Sequence, residues 1–173
     1  MRELFLLRHA KAMTESPTGD DFGRPLATRG QEAAVQLGGA MAERGWYPHR
    51  ALVSSASRTR ETWKLVASAI GDFAPAPYIE DRLYNATAGA VLELLRETPD
   101  SVRALVVVGH NPSMHELALR LCGEDSDTRA FNHLRQKYPT AALARFEFDG
   151  SWETLDPHQP RLTDFLRPRD IAE

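Results

Sequence analysis

Short apolar runs recur along the chain, separated by longer stretches in which apolar residues return every three or four positions. The clearest runs are residues 3–7 (ELFLL) and 104–108 (ALVVV), and shorter ones are residues 51–54 and 78–79. A nearly unbroken apolar run of this length is typical of a strand that is buried on both faces, as in a parallel sheet. We therefore predict that these segments form the strands of a buried sheet.

Helical periodicity fills the stretches between the predicted strands. The first helix is predicted to begin at Thr28, which has Gln31 three residues later in a capping-box spacing, and to end at Gly45. Further helices are predicted at residues 58–70, at residues 88–96 and directly after Pro112. This alternation predicts one α/β domain over residues 1–173, with helices on both faces of the sheet and a ligand site at the carboxyl ends of the strands.

Two late segments extend the pattern. Residues 142–148 (ALARFEF) alternate between apolar and polar positions, which predicts an edge strand or an antiparallel strand. Residues 161–168 (RLTDFLRP) are a candidate for one further strand.

The composition is that of an ordinary globular protein and narrows the function. The 173-residue chain is 42% apolar and carries a net charge of −3, without the basic field expected of a nucleic-acid-binding protein. Its apolar runs are too short to span a membrane, and the first strand begins without a preceding signal region. Cys122 is the single cysteine, so no internal disulfide can form. We expect a cytoplasmic protein that binds neither nucleic acid nor membrane.

Basic and imidazole side chains follow three of the predicted strands. Arg8 and His9 follow the first strand, Arg58 follows the second, and His110 follows the ALVVV strand. Because the carboxyl ends of parallel strands meet at one edge of a sheet, these side chains are expected to converge. Guanidinium groups favour a tetrahedral oxyanion such as phosphate, and a neutral imidazole is a competent nucleophile toward phosphorus. The pattern predicts a phosphate site with a reactive histidine.

Three strings carry a resemblance to a known family. LLRHAKA at residues 6–12, SSASRTRET at residues 54–62 and VVVGHNPSMHELA at residues 106–118 together resemble the histidine phosphatase superfamily, most closely its small phosphohistidine phosphatase branch. RPLATRG at residues 24–30 and KYPTAALARFEFDGSW at residues 137–152 extend the resemblance to nearly the whole chain. The resemblance implies a three-layer helix–sheet–helix fold of the phosphoglycerate mutase type, with a mostly parallel central sheet.

The resemblance also implies a role for each residue at the strand ends. His9 would be the nucleophile that becomes phosphohistidine, and His110 would hydrogen-bond the phosphoryl oxygens through the transition state. Arg8 and Arg58 would bind the phosphoryl group. No metal or other cofactor is implied, because the cationic cluster neutralises the charge that magnesium neutralises in other phosphoryl-transfer enzymes.

Two positions depart from the family pattern. Ala10 replaces the glycine of the common Arg-His-Gly motif, and Asn85 stands where many members carry a proton-donating glutamate. An alkoxide leaves poorly without a proton, whereas a leaving imidazole can accept a proton itself. Asn85 therefore favours phosphohistidine on a protein as the substrate, with Glu80 or Asp81 as an alternative proton donor in a different geometry.

Two other functions stay open. A phosphatase or mutase acting on small phosphate esters would use the same pocket. A catalytically silent module that binds phosphoproteins would need the arginines but no nucleophile. The short chain leaves little length for a lid, so an open, shallow site is expected. Such a site suits a phosphorylated protein and also admits a small phosphate ester.

The residues around the predicted pocket have more than one interpretation. Asp21 and Arg24 lie in a polar loop, where a turn ion pair is the first interpretation and a contact with substrate the second. Asn85 is a third candidate for a contact at the rim. Ser54 and Ser55 are expected to cap the helix that carries Arg58.

The other cationic and imidazole side chains are expected to lie outside the site. Arg60 is predicted to be a surface charge, because two residues along a helix turn it away from the face of Arg58. A structural or exposed position is expected for His115, and loops are expected for His49, His133 and His158.

Overall fold

A six-stranded sheet lies between two layers of helices in the computed structural model, which describes residues 1–171. The strands are β1 (Arg2–Arg8), β2 (Arg50–Ser54), β3 (Pro77–Glu80), β4 (Ala104–Gly109), β5 (Leu143–Phe148) and β6 (Arg161–Leu166). The helices are α1 (Thr28–Glu43), α2 (Ser57–Ile70), α3 (Ala88–Arg96), α4 (Ser113–Leu121), α5 (Thr128–Gln136) and α6 (Pro168–Ile171). A 3₁₀ turn at Asp81–Leu83 follows β3. The α/β helix–sheet–helix class predicted from the sequence is confirmed.

The sheet is mostly parallel, as predicted. Its strand order is β3-β2-β4-β1-β5-β6, in which the first four strands run parallel and the last two alternate in direction. The pairing of β1 with β4 continues to its end, where Arg8 lies opposite Gly109. The His9 amide then donates a hydrogen bond to the Gly109 carbonyl oxygen at 3.1 Å. This register brings two histidines that are distant in sequence, His9 and His110, to one edge of the sheet.

The apolar runs of the central strands are explained by a core on each face of the sheet. Successive side chains of a strand point to opposite faces. In β1, Leu4 and Leu6 pack with α3, α4 and α5, whereas Phe5 and Leu7 pack with α1 and α2. All four side chains are fully buried. An unbroken apolar run is therefore what this strand needs.

One predicted helix cap is wrong, whereas the predicted stop at Gly45 and the antiparallel direction of residues 142–148 are confirmed. α1 begins at Thr28, but the predicted capping box is absent, because Ala27 occupies the cap position and offers no side-chain acceptor. Gly45 follows the end of this helix with a φ of 70°, a conformation that favours glycine. β5 is antiparallel to β1 in the interior of the sheet, and β6 forms the edge beyond it.

α5 is a helix that the sequence pattern does not predict. Its cap residue, Asp127, accepts a hydrogen bond from the Ala130 amide at 2.9 Å. Its buried residues are Ala130 and Leu134, which are too few to give a clear helical period. The loop expected for His133 is therefore wrong. Across residues 1–171, no helix combines the length and the apolar character that crossing a membrane requires.

α1 and α2 approach each other closely at Gly38. A Cβ atom at this position would lie 2.4 Å from the Val66 carbonyl oxygen and 2.6 Å from the Ala69 Cβ. The two helices would have to separate to admit a methyl group there. The neighbouring Gly39 has open space at the equivalent point. The contact at Gly38 therefore fixes the position of α2, the helix that carries Arg58.

We predict that Gly38→Ala lowers the free energy of unfolding by about 2 kcal/mol, because overpacking forces the two helices apart. Gly39→Ala is the matched control, expected to be neutral or to stabilise by up to ~1 kcal/mol through helix propensity. Urea unfolding followed by circular dichroism measures both changes. A Gly38→Ala protein as stable as the wild type would show that this contact does not fix the helix spacing.

Candidate active site

The four side chains predicted to form the site meet at the carboxyl edge of the sheet. His9 follows β1 and His110 follows β4, and the centroids of their rings lie 5.5 Å apart. Arg8 is the last residue of β1, and Arg58 lies in the first turn of α2, directly after β2. Arg8 and Arg58 each lower the pKa of the His9 imidazole by their charge, as expected for groups in one pocket. The geometry is that of a cationic cradle around two imidazoles.

His9 is held as a neutral ring with one nitrogen free. Its Nδ1 donates a hydrogen bond to the Ala10 carbonyl oxygen at 2.8 Å, so the lone pair is on Nε2. Burial lowers the pKa of His9 to about 3, the bond to Ala10 opposes this shift, and the charges of His110, Arg8 and Arg58 add to it. A neutral imidazole with a free Nε2 is the form that can attack phosphorus.

Ala10 and Thr62 join the end of β1 to α2. The Ala10 amide donates to the Thr62 hydroxyl at 3.0 Å, and this hydroxyl donates to the Arg58 carbonyl oxygen at 2.7 Å. The methyl group of Ala10 is fully buried in the core on the α1–α2 side, which accounts for an alanine at this position. Thr62 therefore positions the backbone of His9 relative to the backbone of Arg58.

His110 is oriented by Ser54, the last residue of β2. The Ser54 hydroxyl and the His110 Nε2 lie 2.8 Å apart, and His110 Nδ1 is buried without a hydrogen-bond partner in the described structure. Burial, followed by the charge of Arg58, lowers the pKa of His110 to about 4, while Asp21 opposes the shift. Nδ1 is therefore the nitrogen that is available to a ligand, and it carries the proton if Ser54 donates to Nε2.

Capping of α2 by Ser54 and Ser55, as expected from the sequence, is wrong. Ala56 occupies the cap position, and no side chain caps this helix. Instead, Thr59 donates from its hydroxyl to the carbonyl oxygens of Ser54 and Ala56, at 2.7 and 2.9 Å. These bonds fix the turn between β2 and α2, and they leave the Ser54 hydroxyl free to contact His110.

The two arginines are anchored by carbonyl oxygens and retain unused donors. Arg8 Nη1 donates to the Tyr138 carbonyl oxygen at 3.0 Å, and Arg58 Nη1 donates to the Asp21 carbonyl oxygen at 2.9 Å. The Nε groups of both are buried without a partner among residues 1–171. Burial and the charge of Arg58 lower the pKa of Arg8. An anion placed between the two guanidinium groups would relieve this repulsion and accept these hydrogen bonds.

Residues 13–25, here called the rim loop, pack over Arg58. The Asp21 carboxylate accepts from Arg58 Nη2 at 3.1 Å and from Arg24 Nη1 at 2.9 Å. Asp21 therefore makes the ion pair expected of the turn and also contacts the site. Hydrogen bonds from Tyr84, Arg24 and Arg58, opposed by partial burial, hold the pKa of Asp21 far below its usual range.

Tyr84 and Phe22 are site neighbours that the sequence reasoning missed. The Tyr84 hydroxyl donates to Asp21 Oδ2 at 2.7 Å, and its ring forms a T-shaped pair with the His110 ring, with centroids 5.7 Å apart. Phe22 packs edge-on against Tyr84, with centroids 5.0 Å apart. No motif marks these aromatic residues, because they come together only when the rim loop folds against the turn after β3.

Glu80 and Asp81, the alternative proton donors, and Asn85, the candidate for a rim contact, make no described contact with the four site residues. Glu80 accepts hydrogen bonds from the amide and guanidinium group of Arg82, and it lines a groove with Arg50 and Tyr78. Asp81 and Asn85 are exposed, and Asn85 has a φ of 60°. The described structure gives Asn85 no side-chain hydrogen bond.

The site is less open than the chain length suggests. His9, Arg58 and His110 are 7%, 6% and 8% exposed, and the rim loop covers Arg58 through Asp21. The residues expected outside it are indeed elsewhere: Arg60 is exposed, and His115 is half-buried with Nε2 donating to the Leu134 carbonyl oxygen at 2.7 Å.

Comparisons with known proteins agree with this geometry. The uncharacterized protein Rv1276c of Mycobacterium tuberculosis is 35% identical over 165 residues, which cover 94% of this chain and 100% of the relative. The crystal structure of a proposed phosphohistidine phosphatase, SixA from Agrobacterium tumefaciens, is 30% identical with a TM-score of 0.80, covering 96% of this chain and 98% of that one. A second proposed SixA, from Nakamurella multipartitia, is 25% identical with a TM-score of 0.82 and 96% of each chain covered. No family model matches the chain.

The α/β fold, the cationic cradle at the strand ends and these structural relatives define a phosphatase. The chain belongs to the histidine phosphatase superfamily, in the small branch that contains the SixA proteins. The three-layer fold of the phosphoglycerate mutase type, expected from the resemblance, is confirmed.

We predict that His9 and His110 stay neutral down to about pH 5, because their pKa values of about 3 and about 4 lie below that pH. Unfolded histidines bind protons below about pH 6.5, so the free energy of unfolding is expected to fall as the pH drops from 7 to 5. ¹⁵N NMR of the imidazoles checks the protonation and shows the proton of His9 on Nδ1. A His9 or His110 ring that titrates near its ordinary value would contradict the prediction.

We predict that Ser54→Ala lowers kcat/KM for p-nitrophenyl phosphate by about tenfold, the effect of losing one hydrogen bond to His110. Ser55→Ala, at the neighbouring buried serine, is the matched control and should keep nearly full activity. Equal activities of the two variants would show that Ser54 does not orient His110.

Proposed function

We propose that the chain is a metal-independent phosphatase that hydrolyses phosphohistidine on a protein through a covalent phosphohistidine at His9. The support is the combination of a neutral, oriented nucleophile with two guanidinium groups that are able to bind a phosphoryl group. Arg8 and Arg58 supply the positive charge that a metal ion supplies in other phosphoryl-transfer enzymes. The names of the two SixA relatives support the same substrate class.

The first step is transfer of the phosphoryl group to His9. Nε2 attacks phosphorus, and the bond between phosphorus and the leaving group breaks. The positive charge that develops on the His9 ring is stabilised by the Nδ1 proton held on the Ala10 carbonyl oxygen. Arg8 and Arg58 bind the phosphoryl oxygens, and His110 Nδ1 adds a further donor when Ser54 donates to Nε2 and the ring proton is on Nδ1.

The second step is hydrolysis of the phosphoenzyme. Water attacks phosphorus, the bond to Nε2 breaks, and its electron pair returns to the imidazole. The proton of the water passes to the phosphate product. His9 regains its neutral form, because burial disfavours the protonated ring.

The protonation state of the carboxylate beside the cradle supports the choice of phosphohistidine as the substrate. Among the described contacts, Asp21 supplies the carboxylate that is hydrogen-bonded to one of the four site residues, Arg58. Tyr84, Arg24 and Arg58 hold this group ionised, so it has no proton to give to a leaving alkoxide. Glu80 is engaged with Arg82, and Asn85 has no acidic proton. The site therefore suits a leaving group that departs without a proton from the enzyme, as the imidazole of phosphohistidine does.

We predict that a phosphohistidine peptide is hydrolysed with a higher kcat/KM than 3-phosphoglycerate, whose alkoxide needs a proton to leave. p-Nitrophenyl phosphate, whose phenolate leaves without a proton, is the reference substrate. A comparison of the three under single-turnover conditions measures the preference. Faster turnover of 3-phosphoglycerate would support the small-ester phosphatase or mutase instead.

His9→Ala should lose both turnover and the acid-labile, base-stable phosphoryl adduct that the wild type is expected to form. A module that only binds phosphoproteins would give no adduct in the wild type.

The arginines offer a matched pair for the same assay. Arg58→Ala should lower kcat/KM by about a hundredfold or more, the loss expected when a charged hydrogen-bond donor leaves the phosphoryl group. Arg60→Ala, two residues away and exposed, should retain activity. Equal losses in the two variants would contradict the role of Arg58.

A further inference from the structure

The outer wall of the cradle is built from one carboxylate and two aromatic rings. Asp21 lies on Arg58, Tyr84 donates its hydroxyl to Asp21, and Phe22 packs edge-on against Tyr84. The Asp21 side chain is 51% exposed and Phe22 is 39% exposed, in contrast to the buried His9. This aromatic–acidic rim, composed of Asp21, Phe22 and Tyr84, therefore lies between the phosphate site and solvent.

In-line displacement places the leaving group against this rim. The nucleophile and the leaving group stand on opposite sides of the transferred phosphorus. His9 is buried at the floor of the cradle, so the leaving group must lie on the solvent side. Arg58 Nη2 contacts Asp21 directly, so a phosphoryl group bound to Arg58 has its leaving group near this carboxylate.

We propose that Asp21, Phe22 and Tyr84 form a subsite for the protonated imidazole ring of the substrate, and that this rim sets the preference for phosphohistidine over phosphate esters. The inference rests on the proposed function and names the residues that would produce its specificity. Asp21 would accept a hydrogen bond from the ring nitrogen that does not carry phosphorus.

Asp21 retains acceptor capacity for such a ligand. Its Oδ2 accepts from Arg58 and Tyr84, whereas Oδ1 accepts from Arg24 in the described structure. A carboxylate oxygen can accept two hydrogen bonds, so Oδ1 has one position left for the ring N–H. The Arg24 and Tyr84 contacts also fix the orientation of the carboxylate. The substrate therefore meets an acceptor that is already positioned.

The aromatic members of the rim favour the same ligand. A cationic ring is attracted to the face of a tyrosine or phenylalanine, and a planar ring packs on it with good contact area. An aliphatic phosphate ester has neither a positive charge nor a flat ring. A substrate with its own carboxylate, such as 3-phosphoglycerate, would also be repelled by Asp21.

The transfer balances with this arrangement. The substrate ring starts protonated on one nitrogen and phosphorylated on the other, and so carries a positive charge. As His9 Nε2 bonds to phosphorus, the old P–N bond breaks and its electron pair remains on the substrate nitrogen. The substrate departs as neutral imidazole, and the positive charge moves to the His9 ring, whose proton is on Nδ1. Asp21 keeps the proton on the substrate ring before transfer, so that the leaving group is imidazole and not the poorly leaving imidazolate.

The test compares two substrates that share the phosphoryl group and differ in the leaving group. kcat/KM is measured for N-phosphoimidazole and for p-nitrophenyl phosphate with the wild type and Asp21→Asn. The variant keeps the size of the side chain and loses its charge. The ratio of the two values should fall by about tenfold or more, as expected for loss of a charge-assisted hydrogen bond. Because Asp21 also contacts Arg58, the activity on p-nitrophenyl phosphate can change as well, so the ratio is the quantity that tests the subsite. Circular dichroism shows whether the variant is folded.

Asp20→Asn is the matched control in the same loop. Asp20 makes its described contacts with Thr18 and Gly23 and none with Arg58, so the ratio should stay at the wild-type value. Phe22→Leu should lower the ratio by about threefold, because it removes the ring face that attracts a cationic imidazole, whereas the p-nitrophenyl ring carries no positive charge. Tyr84→Phe keeps the ring and removes the hydroxyl that fixes Asp21, and it should lower the ratio in the same direction.

The possible results separate this inference from the proposed function. A wild type that does not hydrolyse N-phosphoimidazole would overturn the proposed function and the subsite together. A wild type that prefers N-phosphoimidazole, with an unchanged ratio in Asp21→Asn, would overturn the subsite alone. Equal losses on both substrates would also overturn it, because Asp21 would then act on Arg58 and not on the leaving group.

Discussion

The repulsion between Arg8 and Arg58 is the constraint on which the rest of the site depends. Two neighbouring guanidinium groups that are removed from water raise the free energy of the folded chain unless acceptors surround them. The carbonyl oxygens of Tyr138 and Asp21 and the Asp21 carboxylate provide part of that compensation. They leave both Nε donors unused, so the remaining compensation is available to a phosphoryl group. A ligand that accepts these hydrogen bonds would lower the free energy of the folded protein, and this gain would contribute to its binding.

The same environment keeps the buried histidines neutral. Burial and the neighbouring cations both disfavour imidazolium, so His9 waits with a lone pair on Nε2. In the proposed reaction, the negative charge of a bound phosphoryl group would offset the charges of Arg8 and Arg58 and would favour a positive ring at His9. In the proposed mechanism, the nucleophile is neutral before the reaction and cationic during it, so it needs no separate base.

The sequence predicts the sheet and the four central residues because local patterns determine them. Apolar runs buried on both faces identify β1 and β4, and polar residues placed directly after such strands must share an edge of the sheet. α5 escapes prediction because two buried positions do not define a helical period. The role of Ser54 also escapes, because a serine before a helix suggests a cap, and the contact with His110 depends on the spacing of β2 and β4.

The rim is the least predictable part. Asp21 and Arg24 are three residues apart, so their ion pair is a local feature that a turn suggests. Tyr84 reaches Asp21 from a segment more than sixty positions later, and nothing in either segment indicates the other. Contacts between loops depend on the final packing of the elements that carry them.

The hydroxyl of Thr62 has a mechanical consequence. Because it binds the Ala10 amide and the Arg58 carbonyl oxygen at once, the end of β1 and the start of α2 are tied through a single oxygen atom. The backbones that carry His9 and Arg58 are therefore held in one fixed relation to each other. In the proposed reaction, this tie would hold the attacking nitrogen and the anion-binding guanidinium group at a set separation.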